Sequence, residues 1–167
     1  MTKVDSFRFV GGITKRMAKK WIALENPTTI PWTPLPKRLV ACTIAIITTG
    51  AIRLKEDEPF DQEGERQDPW WGDPSYRTIP QNTTSADIRV DHLHIKPEFA
   101  EQDINCLLPN ARLTELADAG EIGRPAPTHY SLMGYQMQPE EMLVTSVPAI
   151  IRQMKDEAVD AVLLVPA

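Results

Sequence analysis

Cysteine, glycine and aromatic residues are scarce in this sequence. Its 167 residues include two cysteines, Cys42 and Cys106, eight glycines and 7% aromatic residues. Two cysteines so far apart exclude a disulfide framework and a zinc ribbon, and we expect both thiols to be reduced and buried. Positive charge is in the minority, since 18 Lys and Arg oppose 23 Asp and Glu for a formal net charge of −5. The composition therefore argues against binding to nucleic acid.

The sequence also lacks a long apolar run and the common nucleotide-binding loops. Its longest apolar stretch, Val40 to Ile52, is interrupted by threonines and is far shorter than the ~20 residues of a membrane span. The basic N-terminus has no apolar segment typical of a secretory signal, so we predict a cytoplasmic protein without membrane association. Neither GxGxxG nor GxxxxGK[ST] occurs. The usual phosphate-binding loops are therefore excluded.

Proline, by contrast, is abundant in the first half of the chain. The sequence has 15 prolines, many of them between Pro27 and Pro80, and we expect that region to be mainly extended. Apolar residues at helical spacing predict a basic amphipathic helix from Ile13 to Leu24. The length suits one main domain. We therefore divide the chain into an N-terminal helix and proline-rich connector, residues 1–37, and a domain of residues 38–167.

The rest of the chain alternates strand and helix patterns. Continuous apolar runs predict buried strands at Val40–Thr48 and Val159–Val165, with shorter strands at Ile88–Val90 and Ala126–Leu132. Helix patterns follow Pro109 and Ser146–Pro148, and the segment between Lys55 and Asn82 has no clear period. This order predicts an α/β, Rossmann-like fold with a mainly parallel sheet and helices on both faces. The chain stops directly after a core strand, which is as consistent with a missing last strand-and-helix portion, or with a sister subunit that completes the sheet, as with a natural end.

Several blocks, in order, resemble one protein family. They are PWTPLPKRL, a strand ending in TTG, LKEDEPFD, DPSYRTIP, DHLHI, EQDINCLLP, RLTELADAGEIG, APTHYSLMG and VDAVLLVPA. Together they cover most of the chain, and the ordered set resembles component B of the glycine, sarcosine, betaine and D-proline reductases, many of which are selenoproteins. The resemblance implies an oxidoreductase subunit that reductively cleaves a carbon–nitrogen or related bond of a small amino acid or betaine.

The same resemblance implies where the nucleophile should be. In the family, the strand matching VDAVLLVPA is followed by a loop with selenocysteine or cysteine, whereas this sequence ends at Ala167. We expect the nucleophile just beyond Ala167, with a selenocysteine codon read as a stop, so that the chain as written lacks the redox motif. A selenolate or thiolate at a helix N-terminus would be kept ionised by the local N–H groups.

The resemblance further implies partners that the sequence itself does not show. A thioredoxin-like donor would regenerate the nucleophile through a selenenyl-sulfide or disulfide bond, and a second reductase subunit could carry a pyruvoyl group. This chain should hold no cofactor of its own. Independently of the resemblance, an uncovered apolar strand should favour association, so we also expect the chain to form an oligomer.

Candidate site residues lie in the matching blocks. For proton delivery or substrate orientation the candidates are His92, His94 and His129. For substrate binding they are Thr49, Gly50, Arg77, Asp103, Asn105 and Ser131. In a parallel sheet Thr49, Gly50 and Ser131 should lie on the edge where Ala167 ends, and the guanidinium of Arg77 suits a carboxylate. Arg77 could instead anchor the long loop by a salt bridge, and Asp103 and Asn105 could cap a turn.

Two other functions remain open. The chain could be a non-catalytic α/β binding or assembly subunit that ends at Ala167 and pairs with a partner that completes its sheet. A metal-dependent enzyme is a further alternative, since strand alternation would place His92 and His94 on one face and histidine suits zinc or iron. We assign no metal ligand.

Overall fold

The computed structural model describes residues 11–24, 33–68, 71–134 and 136–167. The chain divides into two compact units, residues 1–34 and 35–167. The described part of the first unit contains helix α1, Gly12–Leu24, in agreement with the predicted amphipathic helix. Residues 25–32 of the predicted connector lie outside the described residues.

The second unit contains short strands and helices that alternate along the chain. Its strands are β1 Thr43–Thr48, β2 Ile52–Leu54, β3 Tyr76–Pro80, β4 Ile88–Val90, β5 Arg124–Pro125, β6 Thr128–Leu132 and β7 Ala161–Val165. Its α-helices are α2 Gln62–Gln67, α3 Pro97–Gln102, α4 Asn110–Asp118, α5 Glu140–Val144 and α6 Ser146–Asp156. Gly120 follows α4 in the left-handed region, with φ of 72°, which explains the predicted stop there.

Strand β1 is the centre of a mainly parallel sheet. On one side it pairs with β5 at Thr43 and Ile44 and with β6 at Ile47 and Thr48, so β5 and β6 act as one interrupted strand. On the other side it pairs in parallel with β7 over Ile44–Thr48. Strand β3 extends the sheet beyond β6 and runs antiparallel to it. The predicted α/β fold with a mainly parallel sheet is confirmed.

Alternate residues of β1 face two hydrophobic cores. Ile44 and Ile46 pack in one core with Leu113 of α4, whereas Ala45 packs in the other with Ile150 and Met154 of α6. Both faces of β1 are therefore covered by helices, which is why its sequence is apolar throughout rather than alternating. Among the helices of the described residues, none has the length and apolarity needed to cross a membrane.

The predicted strand at Ile88–Val90 exists but does not join this sheet. It forms β4, which pairs antiparallel with β2 in a separate two-stranded sheet. The segment between Lys55 and Asn82, for which the sequence showed no period, contains α2 and β3. Its local pattern is weak because β3 depends on pairing with β6 and not on its own propensity. Ile79 of β3 pairs with His129 of β6, which lies 50 residues further along the chain.

Strand β7 lies at the sheet margin, and the prediction that it is buried on both faces is wrong. Val162 and Leu163 are each 39% exposed and Leu164 is 68% exposed. Within the described residues β7 pairs only with β1. Ala161 and Val165, at the two ends of β7, pack against the core that contains Leu113 of α4. The middle of the strand is left exposed, so its apolar composition does not reflect burial.

Candidate functional site

The carboxyl ends of the parallel strands meet at one edge of the sheet. Here the Thr49 N–H donates to the carbonyl oxygen of Val165 at 3.1 Å, and the Ala167 N–H donates to Thr49 Oγ1 at 2.8 Å. Gly50 forms an antiparallel bridge with Met133, just after β6. We call this region, residues 48–51, 132–134 and 165–167, the carboxyl edge. In parallel sheets such edges are where ligands bind.

The chain leaves β1 through a strained residue. Ala51 is fully buried and adopts φ of 48°, in the left-handed region that non-glycine residues rarely occupy. Its N–H donates to the Leu132 carbonyl oxygen at 2.9 Å, and its own carbonyl accepts the Asp91 N–H at 3.0 Å. This arrangement connects the carboxyl edge to the residues that follow β4, and strain of this kind often accompanies functional sites.

His92 and His94 lie in the turn after β4, not on a strand. The prediction that strand alternation places them on one face is therefore wrong, because β4 ends at Val90. The turn nevertheless brings the two rings together in an edge-to-face contact, with centroids 5.8 Å apart. The His94 N–H donates to His92 Nδ1 at 3.1 Å. Two predicted site residues thus form one cluster.

Gly134 brings His92 to the carboxyl edge. A methyl group added at Gly134 would come within 2.8 Å of His92 Nε2 and 3.1 Å of the Thr49 carbonyl oxygen. No side chain fits between these groups, so glycine is required for the imidazole to lie against the edge. Gly134 was not among the residues predicted from the sequence, although it ends the APTHYSLMG block.

The environment of His92 favours the neutral imidazole. Burial lowers the pKa of His92 below its usual value, the neighbouring His94 lowers it further, and Glu65 opposes both. Because Nδ1 accepts the His94 N–H, the proton of the neutral ring is on Nε2. At neutral pH His92 therefore presents an N–H donor beside Gly134.

Glu65 is a second residue that sequence reasoning missed. This carboxylate on α2 is 5% exposed, and its Oε1 lies 3.0 Å from His94 Nε2. It stands in a segment where most neighbours are also charged, so nothing in the sequence distinguishes it. Only the docking of α2 against the turn selects this carboxylate for burial.

His129 and Ser131 are placed differently from the expectation that they end a strand. Strand β6 continues to Leu132, so His129 is its second residue, and both side chains are fully buried. His129 Nδ1 accepts the Ile46 N–H at 3.2 Å, and Ser131 Oγ accepts the Ile52 N–H at 2.7 Å. These contacts favour structural roles, in which each side chain satisfies a backbone donor.

Arg77 anchors the segment between β2 and β3. Its Nε donates to the Glu58 carbonyl oxygen at 2.8 Å, its NH2 group donates to the Pro59 carbonyl oxygen at 3.1 Å, and the guanidinium stacks 4.3 Å from the Phe60 ring centroid. Of the two roles considered from the sequence, these contacts favour the anchor. The acceptors are backbone carbonyls rather than the carboxylate of a salt bridge.

Asp103 and Asn105 line a separate pocket of about 510 Å³. Asp103 Oδ1 accepts the Asn105 N–H at 3.0 Å and the Asn105 side-chain amide at 2.8 Å. Asn105 Oδ1 in turn accepts the Ala111 N–H at 3.1 Å, within the first turn of α4. The structure does not bring these residues together with His92 and His94 in one pocket, and their contacts are those of turn and helix capping.

An apolar pocket of about 390 Å³ lies beside the His92–His94 turn. It is formed by the residues directly after that turn, by α3 and by the turn that follows α3. Its lining is Ile95, Lys96, Phe99, Ala100, Cys106 and Leu107. Leu107 also contacts the carboxyl edge, since a methyl group at Gly50 would come within 3.1 Å of Leu107 Cδ1.

The expectation that both cysteines are buried is wrong for Cys106, which is exposed. Burial and the Asp103 charge raise the pKa of its thiol.

The metal-enzyme alternative receives no support from the geometry. In the part of the chain that the structure describes, no group of three or more His, Cys, Asp or Glu side chains is placed to hold a metal ion. His129 belongs to the interior of the sheet, whereas His92 and His94 lie at its edge.

Comparison with known proteins finds a clear similarity to a reductase subunit. The chain is 34% identical over 140 residues to the D-proline reductase subunit gamma of Acetoanaerobium sticklandii. The alignment covers 83% of this chain and 54% of that protein, so the chain spans about half the length of the curated relative it matches. No family model matches the chain, and no solved structure matches it.

Proposed function

Since this chain belongs to the reductase family of the D-proline reductase gamma subunit, we propose that it is a subunit of a reductase complex. The family resemblance of its sequence blocks is confirmed by that relative. The reaction we propose is the reductive cleavage of a carbon–nitrogen bond in a small amino acid or betaine. Two electrons from a dithiol donor and two protons would be consumed. The nitrogen would leave as ammonia or an amine, or would remain as the amino group of the opened chain when the substrate is cyclic.

We propose the carboxyl edge as the site of this reaction. The observation that carries the proposal is the convergence of Thr49, Gly134 and His92 beside Ala167, the last residue after β7. A selenocysteine or cysteine supplied next to this position would attack the substrate carbon. The Nε2–H of His92 is suited to hydrogen-bond the substrate, and when the ring takes up a second proton it can deliver that proton to the leaving nitrogen. Thr49 and Gly50 would contact the substrate.

The proposal is tested on the complex isolated from the native host. We expect D-proline, glycine, sarcosine or betaine to be reduced with dithiothreitol as the donor, with one amine product formed per dithiol oxidised. Intact mass and selenium content, measured on the same sample, identify the nucleophile as selenocysteine or cysteine. We expect His92→Gln to lower the rate about 100-fold or more, because proton transfer by a positioned side chain typically contributes that much.

Two results would refute this function. One is a complex that contains the chain but reduces none of the four substrates, and the other is full activity in the His92→Gln complex. The variant Arg89→Gln is a matched control, since Arg89 lies on β4 close in sequence to His92 but is exposed. Its guanidinium donates to the Ile88 carbonyl oxygen at 3.0 Å and forms a distant pair with Glu101 at 3.9 Å. The variant should retain the parent activity.

The exposed strand β7 favours a second candidate function, that of an assembly subunit. An edge strand with apolar side chains and unpaired backbone groups is a ready template for another strand. Val162 and Leu164 share the face of Ala45 and Ile47, while Leu163 lies on the opposite face. A partner strand with its own helices would complete the sheet on this side.

We expect the isolated 167-residue chain to self-associate through β7. Leu164→Lys places a charge at the most exposed position of this strand and should raise the monomer fraction measured by light scattering at matched concentrations. Val144→Lys is the control, because Val144 on α5 is 73% exposed and gives the same change in charge elsewhere. A monomeric parent chain, or equal dispersal by both variants, would contradict the prediction.

A further inference from the structure

The buried carboxylate of Glu65 is unusual for a residue on a short surface helix. Its neighbours on α2, Glu63 and Arg66, are 69% and 54% exposed, whereas the Glu65 side chain is 5% exposed. Withdrawing a carboxylate from water costs free energy unless a partner compensates for it. The contact with His94 Nε2 at 3.0 Å supplies such a partner.

Helix α2 is held against the histidine turn by contacts that do not involve Glu65. The Gln62 side-chain amide donates to the Asp91 carbonyl oxygen. Asp91 Oδ2 accepts the Phe60 N–H at 3.0 Å and the Arg53 Nε–H at 2.8 Å. These bonds join β2, the start of α2 and the turn, so Glu65 is presented to His94 at a defined position.

His94 connects Glu65 to His92 by two routes. Its backbone N–H donates to His92 Nδ1, and its ring packs edge-on against the His92 ring. The Glu65 contact restrains the His94 ring, and a restrained His94 keeps the His92 ring turned so that Nε2 lies against Gly134. The chain of contacts runs from α2 to the carboxyl edge without using the sheet.

We propose that Glu65 is a positioning residue, which acts through His94 to hold the Nε2–H of His92 at the carboxyl edge. The importance of that donor for turnover rests on the proposed function, but the positioning itself does not. Glu65 should touch neither substrate nor nucleophile. Its effect on chemistry is carried entirely by the orientation and charge state of His92.

The charges around His92 determine the sign of the effect. Glu65 on α2 is the negative group that favours protonation of His92, while burial and His94 disfavour it. Asp91 in the same turn is paired with Arg53 of β2, so its charge is compensated. Removing the charge of Glu65 should therefore shift the His92 titration to lower pH.

The test is a ¹⁵N NMR titration of the histidine rings in the full chain. Glu65→Gln keeps the size of the side chain and removes its charge, and we expect the His92 titration to move to lower pH. Glu65→Ala also removes the contact, and we expect the ring signals to show mixed tautomers in place of Nε2–H alone. Glu65→Asp should restore part of the parent behaviour.

Glu63→Gln is the matched control, since the exposed Glu63 is on the same helix but contacts neither histidine. Its carboxylate pairs with Arg66 at 3.8 Å and accepts the Gln67 side-chain amide at 3.2 Å. A merely structural role of Glu65 would change the unfolding midpoint without changing the His92 titration or tautomer. The proposal is overturned if Glu65→Gln and Glu63→Gln give the same His92 titration. The NMR titration does not require enzymatic turnover, so its result is independent of the result of the reductase assay. If Glu65→Ala does not fold, the Glu65→Gln comparison decides.

Discussion

Asp91→Ala should lower the free energy of unfolding by about 3 to 5 kcal/mol, the cost of leaving one member of a buried ion pair without its partner. Asp91 and Arg53 are joined at 2.8 Å, and their side chains are 12% and 13% exposed. The substitution also orphans the Phe60 N–H, which Asp91 accepts at 3.0 Å. The measurement is equilibrium unfolding in urea, followed by circular dichroism.

Two companion variants separate the ion pair from a general loss of charge. Glu101→Ala breaks the exposed Arg89–Glu101 pair, 3.9 Å long, and should cost less than about 1 kcal/mol. Adding Arg53→Met to Asp91→Ala removes the uncompensated charge and should recover part of the lost stability. If Asp91→Ala costs no more than Glu101→Ala, the pair does not hold the segment after β2 against the histidine turn.

Acidification from pH 7 to pH 4 should cost about 3 kcal/mol of stability through His129 alone. Burial lowers the pKa of His129 from 6.5 to about 4. The pKa of His129 is lower in the folded state than in the unfolded chain, so its contribution to stability is fully present above pH 6.5. That contribution is lost as the pH falls towards 4, since the unfolded chain binds the proton first. The loss is measured as the decrease in unfolding free energy across this range.

His129→Asn isolates the contribution of His129 from that of the carboxylates. The asparagine Oδ1 can take the place of Nδ1 as acceptor of the Ile46 N–H but does not titrate. Between pH 7 and pH 4 the variant should therefore lose about 3 kcal/mol less than the parent. Parallel stability profiles for the two proteins would show that His129 does not control the acid response.

Both predictions concern contacts that fix the position of the candidate site at the carboxyl edge. Asp91 ties the histidine turn to β2 and to the start of α2, and His129 satisfies a donor of β1 from within the sheet. Loss of Asp91 should also disturb His92, because the turn would lose its connection to Arg53. Loss of His129 should leave His92 unaffected, since its contact is with Ile46.

The elements that depend on local pattern were predictable. The run of β-branched and apolar residues predicted β1, the spacing of apolar residues predicted α1 and α6, and Gly120 predicted the end of α4. These signals are local, because periodicity and backbone conformational preference are properties of neighbouring residues. The family, too, was recognisable from ordered sequence blocks and is supported by the similarity to the D-proline reductase subunit gamma.

Burial and pairing were not predictable from the same signals. The apolar runs of β1 and β7 look alike, yet β1 is covered on both faces and Leu164 of β7 is 68% exposed. Strand β4 was placed correctly along the chain but pairs with β2 outside the main sheet. A strand pattern in the sequence indicates which residues favour an extended backbone. Which strands pair with one another depends on the tertiary structure of the whole chain.

The sequence by itself determined the fold class, the family and two members of the histidine cluster, His92 and His94. Only the tertiary structure decided that Glu65 and Gly134 belong with them and that the contacts of His129, Arg77 and Asp103 lie elsewhere. The chemical properties of each side chain are known from the sequence, so candidate site residues can be named from it. Proximity arises from long-range contacts such as Glu65 to His94, which no local pattern encodes.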